Sequence, residues 1–524
     1  ETLMGDLIEN SPYVIKMLAN ESCKELCKIK LADVQKDKFR SMIEDEYSVN
    51  WIVDNLPAAT RYRRAGGEYT YMNGFNVGVN QQGHYYVYNH VLLDLQYHQN
   101  PEKYEGFRIV GFEVEPNTRA GKDTAGNCAV DAPPFDIDAH EEIIYTYSVQ
   151  WTESPVRWAS RWDAYLKMRG GEIHWFAILN SLLILLFLSG MVAMILLRTL
   201  HRDITQYNEV ATEEEAREET GWKLVHGDVF RRPNHSTLLA VSVGSGMQVT
   251  GMAVMTLIFA LLGFLSPARR GSLLQSMMLV FTLMGVLAGY TSSRFVKVFD
   301  GDEARWKCTT LATAFLYPGL FFSIFFVLNL MIWGAKSSGS VPFSTMFAVL
   351  VLWFGVSVPL VFFGAYAGFR KSAVELPVKV SKVARAIPDR PWYSKPLVTS
   401  LIGGMLPFGA VFTELFFIMS SLWLHQFYYL FGFLALVLVI LCVTCSEISI
   451  ALTYFQLTSE DYRWWWTAFF GSGSSGIYVF MYSMLYFSTR LRIDRVDSTI
   501  LYFGYMGIIS VLFMLLTGAI GCLS

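Results

Sequence analysis

Charge is what this sequence has least of. Only 17% of its 524 residues are Asp, Glu, Lys or Arg, against about 25% in ordinary soluble chains, while 53% are apolar. So thin a polar complement argues against the three soluble domains that ~150 residues per domain would suggest. A net charge of -3 leaves no basic footprint for nucleic acid, so no nucleic-acid partner is expected. Catalytic signatures are missing too: there is no G-x-S-x-G, no H-E-x-x-H, no G-x-x-x-x-G-K-[ST] and no pair of intramembrane aspartates. The chain reads as a membrane protein and not as an enzyme, with no cofactor.

What is present divides in two. Residues 1–172 are polar and turn-rich, without an apolar run long enough to cross a bilayer. From residue 173 to 524, long apolar runs alternate with short polar connectors. A span needs ~20 apolar residues to cover ~30 Å of hydrocarbon. Nine candidates meet that length: 175–197, 237–265, 272–293, 309–333, 343–369, 397–424, 427–457, 467–488 and 500–523. Eighteen Lys and Arg fall in the connectors after spans one, three, five and seven, against six in the alternate set. Positive residues stay in the cytosol, which puts residues 1–172 in a lumen. The opening ETLMGDLIEN has neither a starting Met nor an apolar h-region, so a signal-bearing segment is expected before it.

Three lumenal stretches alternate with period two, as half-buried strands do: Gly83–His98, Phe107–Val114, and the face carrying Ile143, Tyr145, Tyr147, Val149 and Trp151. Turn clusters between them suggest antiparallel sheets stacked as a β-sandwich, with a helix near 31–45 where Leu31, Val34, Lys38 and Met42 share a spacing. Cys23 and Cys27 are the candidates for a local disulfide in this oxidising compartment, and the third lumenal cysteine, Cys128, makes the count odd. Asn20-Glu-Ser22 is a glycan acceptor, whereas Asn234-His-Ser236 matches the same pattern on the cytosolic side. His84, His90 and His98 lack metal-ligand spacing, and the C-x-x-C of Cys442 and Cys445 reads as helix packing, so no metal is expected. Trp158, Trp162 and Tyr165 are expected on one side of a helix, resting at the headgroup level.

Two carboxylates stand inside spans, where a charge costs ~2.5–3.5 kcal/mol. Glu414 follows Thr413, and Glu447 follows Ser446. Counting from span ends separates the two acids along the membrane normal. Three roles stay open: a protonated structural hydrogen bond, a polar groove for a client's transmembrane segment, or steps in a proton path. Gly285 and Gly289, like Gly364 and Gly368, form G-x-x-x-G pairs that let helices approach closely, either within the protein or against a client helix.

A set of long motifs resembles the transmembrane 9 superfamily, the nonaspanins or endomembrane protein 70 homologues. They run from Trp51-Ile-Val-Asp-Asn-Leu-Pro57 through Gly221-Trp-Lys-Leu-Val-His-Gly-Asp-Val-Phe-Arg231 and Phe264-Leu-Ser-Pro-Ala-Arg-Arg-Gly271. Further along come Leu406-Pro-Phe-Gly409, His425-Gln-Phe-Tyr-Tyr-Leu-Phe-Gly-Phe433 and Glu460-Asp-Tyr-Arg-Trp-Trp-Trp466. The resemblance implies an α+β membrane protein of the Golgi and endosomes: an N-terminal lumenal β-sandwich-like domain followed by a nine-helix transmembrane bundle. It also implies sorting of client membrane proteins with glycine-rich transmembrane segments, with links to adhesion and phagocytosis. In relatives a short cytosolic tail engages coat proteins, and that tail is not in these residues. The family's Gln-Ile-Pro-Arg-Gln-Ile-Pro run after span five is here Val380-Ser-Lys-Val-Ala-Arg-Ala-Ile-Pro388.

Overall fold

The computed structural model describes residues 10–63, 69–101, 104–119, 133–167, 175–208, 224–264, 272–299, 303–334, 340–372, 374–389, 391–392, 395–423, 431–491, 493 and 495–524. In the N-terminal region the strands are β1 (Glu21–Lys30), β2 (Ser48–Val49), β3 (Ile52–Val53), β4 (Leu56–Pro57), β5 (Ala59–Arg63) and β6 (Tyr69–Asn73). They continue as β7 (Phe75–Asn76), β8 (Gly78–Gln81), β9 (His84–Val87), β10 (His90–His98), β11 (Arg108–Asn117) and β12 (Glu142–Glu153). One helix, α1 (Asp33–Glu44), joins them. It buries Ile43 and packs Phe39 beside Leu31, while Val34 is 80% exposed, so its inner face is not the one the spacing of Val34 and Met42 suggests.

In place of the expected sandwich of antiparallel sheets, and beside three two-stranded ribbons, the described residues form one mixed sheet. Its six strands run β1-β12-β10-β11-β5-β6, with β10 parallel to β12 and β5 parallel to β11. Parallel neighbours require long crossovers, and period-two alternation carries no information about strand direction. The alternation does set the faces. Val91, Leu93 and Leu95 of β10, Phe112 and Val114 of β11, and Tyr147 and Val149 of β12 form one apolar layer. The ribbons β3–β4 and β2–β7 supply Leu56 and Phe75 as its cover, together with Trp162.

The other face is polar and internally satisfied. Thr152 donates to Asp94 at 2.9 Å, Gln96 to Glu113 at 3.1 Å, and Arg61 pairs with Glu113 at 3.2 Å. Burial raises the Glu113 carboxyl above its usual range, an effect that Arg61 opposes. His90 is buried on this face, its Nδ1 2.9 Å from Thr146 Oγ1. Burial, aided by the Arg119 charge, pushes its imidazole down to about 4.

The sign for stability follows directly. Folded His90 stays neutral while the unfolded chain takes up its proton near ~6.5, so stability falls as pH drops from there toward 4. With allowance for solvent screening the loss is about 1 kcal/mol by pH 5, or roughly 3 °C in the melting temperature of a ~150-residue domain. His90→Gln is expected to flatten that dependence in thermal melts at pH 7 and pH 5. An unchanged slope would remove His90 as its source.

The helical region follows from residue 175. It comprises α2 (Trp175–Asn208), α3 (Ser236–Leu261), α4 (Ser272–Leu283), α5 (Gly285–Phe299), α6 (Glu303–Gly334), α7 (Phe343–Leu352) and α8 (Val358–Arg370). After these come α9 (Pro396–Trp423), α10 (Phe431–Thr458), α11 (Trp464–Gly473), α12 (Ser475–Arg490) and α13 (Val496–Leu523). Among the described residues, seven helical stretches are long and apolar enough to cross a membrane. The other two expected spans coincide with α9, whose residues 396–412 form a shorter apolar helix, and with α11–α12, which are separated by the single residue Ser474.

Proline shapes two spans. A π-helical turn, Trp353–Ser357, precedes Pro359 and joins α7 to α8, where the ring removes a backbone donor. Pro318 inside α6 likewise deprives the Ala314 carbonyl of its partner, and the Trp353 indole donates to that oxygen at 3.0 Å.

Candidate functional site

The intramembrane carboxylates lie where α2 meets α9 and α10. Among the described side chains of α2, a narrow seam is buried, formed by Ser181, Leu188 and Val192, while Leu183, Phe187 and Met194 face outward. Hydroxyls hold the seam. Ser181 Oγ donates to the Ala410 carbonyl of α9 at 2.6 Å, and Ser189 Oγ donates to Glu447 Oε1 of α10. Eight residues at ~1.5 Å rise place these anchors about 12 Å apart along α2. Glu414 sits one helical turn beyond Ala410, on the far side from Glu447, so the acids are separated by about 18 Å along the bundle.

Their surroundings differ. Glu414 is 1% exposed, near the packed Val411 and Met419 of its own helix. Glu447 is half-buried, and its Oε2 has no hydrogen-bond donor among the described residues. Ser446 turns away and donates to Cys442 O at 2.9 Å. The Thr413 side chain lies outside the described residues.

The glycine pairs meet each other. A Cβ on Gly289 would stand 1.9 Å from Val361 O, and one on Gly364 would stand 2.0 Å from Val286 O. Gly285 faces Val361, and Gly368 faces Tyr290 and Ser293, so α5 and α8 touch backbone to backbone along the whole seam. Those faces are occupied within the chain and leave no room for a client helix.

Several expectations need correction. Cys23 is disulfide-bonded and Cys27 is free and exposed, so the two do not pair. Both lie on β1, where four residues at ~3.3 Å each separate them by about 13 Å, beyond the ~7 Å limit of a disulfide. Residues 158–167 form a 3-10 helix, and at three residues per turn Trp158 and Trp162 lie on different sides. Trp162 enters the domain core at 8% exposure while Trp158 stays 45% exposed; the side chain of Tyr165 is outside the described residues. His84 pairs with Asp136 at 2.8 Å and His98 Nδ1 lies 3.0 Å from Ser154 O, so the three histidines have separate partners. Asn20 is exposed, its Oδ1 accepting the Trp151 backbone N–H at 2.8 Å.

A further polar assembly, extensively bonded among the described residues, was not expected as a site. Its centre is Asp228, 4% exposed, whose Oδ1 accepts Arg231 Nη2 at 2.6 Å and whose Oδ2 accepts the Arg385 backbone N–H at 3.1 Å. Arg231 also donates to Ser381 O at 2.7 Å, and Ser381 N donates to Gly227 O at 2.9 Å. Trp464, Trp465 and Trp466 donate their indole N–H groups to the carbonyls of Val229, Arg231 and Asn234, at 2.8, 3.1 and 2.8 Å. Buried Asp461 accepts from Gln456 and Arg463, fixing the turn before α11. Connectors after the first, fifth and seventh expected spans are thereby tied together. Close to the end of the third, Lys297 donates to the terminal carbonyls of α8, Phe369 at 2.6 Å and Lys371 at 2.5 Å. Described residues in or beside all four basic connectors are thus linked, directly or through the connector after α8. The signal in the sequence was the Asp-Tyr-Arg-Trp-Trp-Trp run, which composition reads only as an interfacial belt.

This architecture, a mixed sheet leading into a many-helix membrane region, coincides with a sequence match over residues 1–496 to the profile described as Endomembrane protein 70. The chain belongs to that family. It is 51% identical to transmembrane 9 superfamily member 10 of Arabidopsis thaliana over 99% of its own length and 85% of the relative. To member 2 of Homo sapiens it is 45% identical, covering 99% and 83%, and to human member 4 it is 43% identical, covering 99% and 85%. No solved structure matches. The endomembrane protein 70 family is a non-catalytic membrane-trafficking family, and among the described residues no His, Cys, Asp and Glu cluster could hold a metal. This family member is therefore a multi-pass membrane protein.

Proposed function

We propose that the chain is a sorting receptor or escort of Golgi and endosomal membranes, with its β-rich domain lumenal and Asn20 available for a glycan. Its clients are membrane proteins with glycine-rich transmembrane segments, including those used in adhesion and phagocytosis, and coat proteins would act through a tail beyond these residues. Family membership supports the class. The observation that carries the mechanism is the α2 seam: a peripheral helix held by two hydroxyls, one of them on a carboxyl whose second oxygen has no donor among the described residues. A client helix with small residues approaches closely enough to compete with α2 for α10 and to donate to Glu447.

Glu447→Leu is expected to lower co-purification of a reporter bearing a glycine-rich transmembrane segment by roughly 3- to 18-fold, the range of ~0.6–1.7 kcal/mol for an interhelical hydrogen bond in a membrane. A leucine-only segment serves as control. Unchanged recovery would remove the seam from the proposal. Proton flux in liposomes, lost on neutralising Glu414 or Glu447, would instead point to a proton-coupled transporter or channel. The ~18 Å axial gap between the two acids argues against a direct relay.

A further inference from the structure

One cleft in the N-terminal domain is unused by the reading above. It encloses about 630 Å³ and is lined by Met17, Asp54, Phe107, Arg108, Ile109 and Trp158. Three of those linings are large apolar side chains left open: Met17 is 43% exposed, Phe107 41% and Trp158 45%. Its charge is not balanced. Asp54 is engaged by Arg161 Nη1 at 2.7 Å, which also donates to Ile109 O at 3.1 Å, so that pair is neutral in place. Among the described lining residues, Arg108 is the remaining charge.

The Arg108 guanidinium lies over the Tyr104 ring, 4.0 Å from its centroid, and 5.9 Å from that of Trp158. Such face contacts hold a guanidinium plane while leaving its edge donors available, the geometry that recognises phosphate. The setting supplies the source. Trp158 opens the 3-10 helix that ends at Lys167, and only eight residue steps then lead to Trp175, where α2 begins. Those steps reach at most about 28 Å, so the helix is tethered close to the membrane surface. Apolar and aromatic side chains around a cation with no ion-pair partner among the described residues match the interface between headgroups and acyl chains.

We propose that this cleft binds the phosphodiester headgroup of an anionic membrane lipid, with Arg108 on the phosphate and Met17, Phe107 and Trp158 against its glycerol and upper acyl carbons. The inference does not depend on the escort reading, since it concerns another part of the chain.

The test uses the full chain in nanodiscs of phosphatidylcholine containing a minor share of phosphatidylglycerol. Native mass spectrometry then measures the lipids retained on the released protein. The wild type should retain phosphatidylglycerol in preference to phosphatidylcholine, and Arg108→Gln should cut that preference about fivefold, the effect of one basic side chain at an anionic surface. Arg108→Lys should keep part of it. Phe107→Ser, which leaves the cation in place, should shorten retention and serves if Arg108→Gln fails to fold. Equal preference in the wild type, Arg108→Gln and Phe107→Ser would overturn the proposal. So would inorganic phosphate alone, in detergent, protecting the amides of residues 104–109 from exchange as fully as lipid does, since that would identify a soluble phosphate site.

Discussion

Gly364→Leu is expected to abolish recovery of a monodisperse protein, and Gly364→Ala to damage it nearly as much. The reason is that the offending atom is the Cβ itself, which would stand 2.0 Å from the Val286 carbonyl oxygen. Where soft side chains surround an insertion, overpacking costs ~1–3 kcal/mol because rotamers adjust. Backbone cannot adjust that way. Relief requires α5 and α8 to move apart, which also releases the reciprocal contact of Gly289 with Val361 O. In lipid that contact has no hydrophobic replacement, since association depends on close packing. A penalty above ~3 kcal/mol is a large fraction of an ordinary stability of ~5–15 kcal/mol. Gly409→Leu and Gly507→Leu are the controls, because a Cβ at either position meets nothing within 4 Å. Both should behave as wild type in size-exclusion profiles and thermal unfolding. If Gly364→Leu melts within a few degrees of them, the α5–α8 seam is wrongly drawn.

The same seam shows what a sequence gives up readily. Spacing alone identified Gly285, Gly289, Gly364 and Gly368 as packing residues, because four residues return to the same helix face. It could not say which helix each pair faces, as that depends on tertiary order. Span positions were legible for the same local reason: apolar length is a property of one segment. Strand existence was too, as β10, β11 and β12 follow the alternation of Val91, Leu93 and Leu95 and their counterparts. Strand direction was not, because β10 beside a parallel β12 joins residues more than fifty positions apart. Trp162 illustrates a third limit. An α-helical period puts it beside Trp158, whereas the 3-10 turn rotates it into the domain core.

The candidate site was legible only by cost. Glu414 and Glu447 stood out because charge inside a span is expensive. The α2 hydroxyls beside them, Ser189 on Glu447 and Ser181 on Ala410 O one turn from Glu414, lie more than two hundred residues away and carried no local signal. The Asp228 assembly was hidden for a related reason. Carbonyl oxygens are present at every residue, so nothing in Val229, Arg231 or Asn234 announces that three indoles bond there.

Asp228→Ala should uncouple the connectors that this assembly joins. The carboxylate is buried, and its loss strands the Arg231 guanidinium with Ser381 O as its remaining described acceptor, while the Arg385 amide loses Oδ2. Removing one member of a buried ion pair costs ~3–5 kcal/mol, because the other charge stays desolvated. Arg231 is only partly buried, so the low end, about 3 kcal/mol, is the expectation. Hydrogen exchange reads this locally: at ~1.4 kcal/mol per factor of ten, the amides of Ser381 and Arg385 should exchange roughly a hundredfold faster. Trp465→Phe deletes a single neutral hydrogen bond in the same assembly and should cost only about 1 kcal/mol, with a correspondingly smaller change. Replacing both partners, Asp228→Leu with Arg231→Met, removes the stranded charge and should recover much of the loss. Protection at Ser381 and Arg385 that survives Asp228→Ala unchanged would mean the connectors are held by other contacts, and the ion pair is incidental.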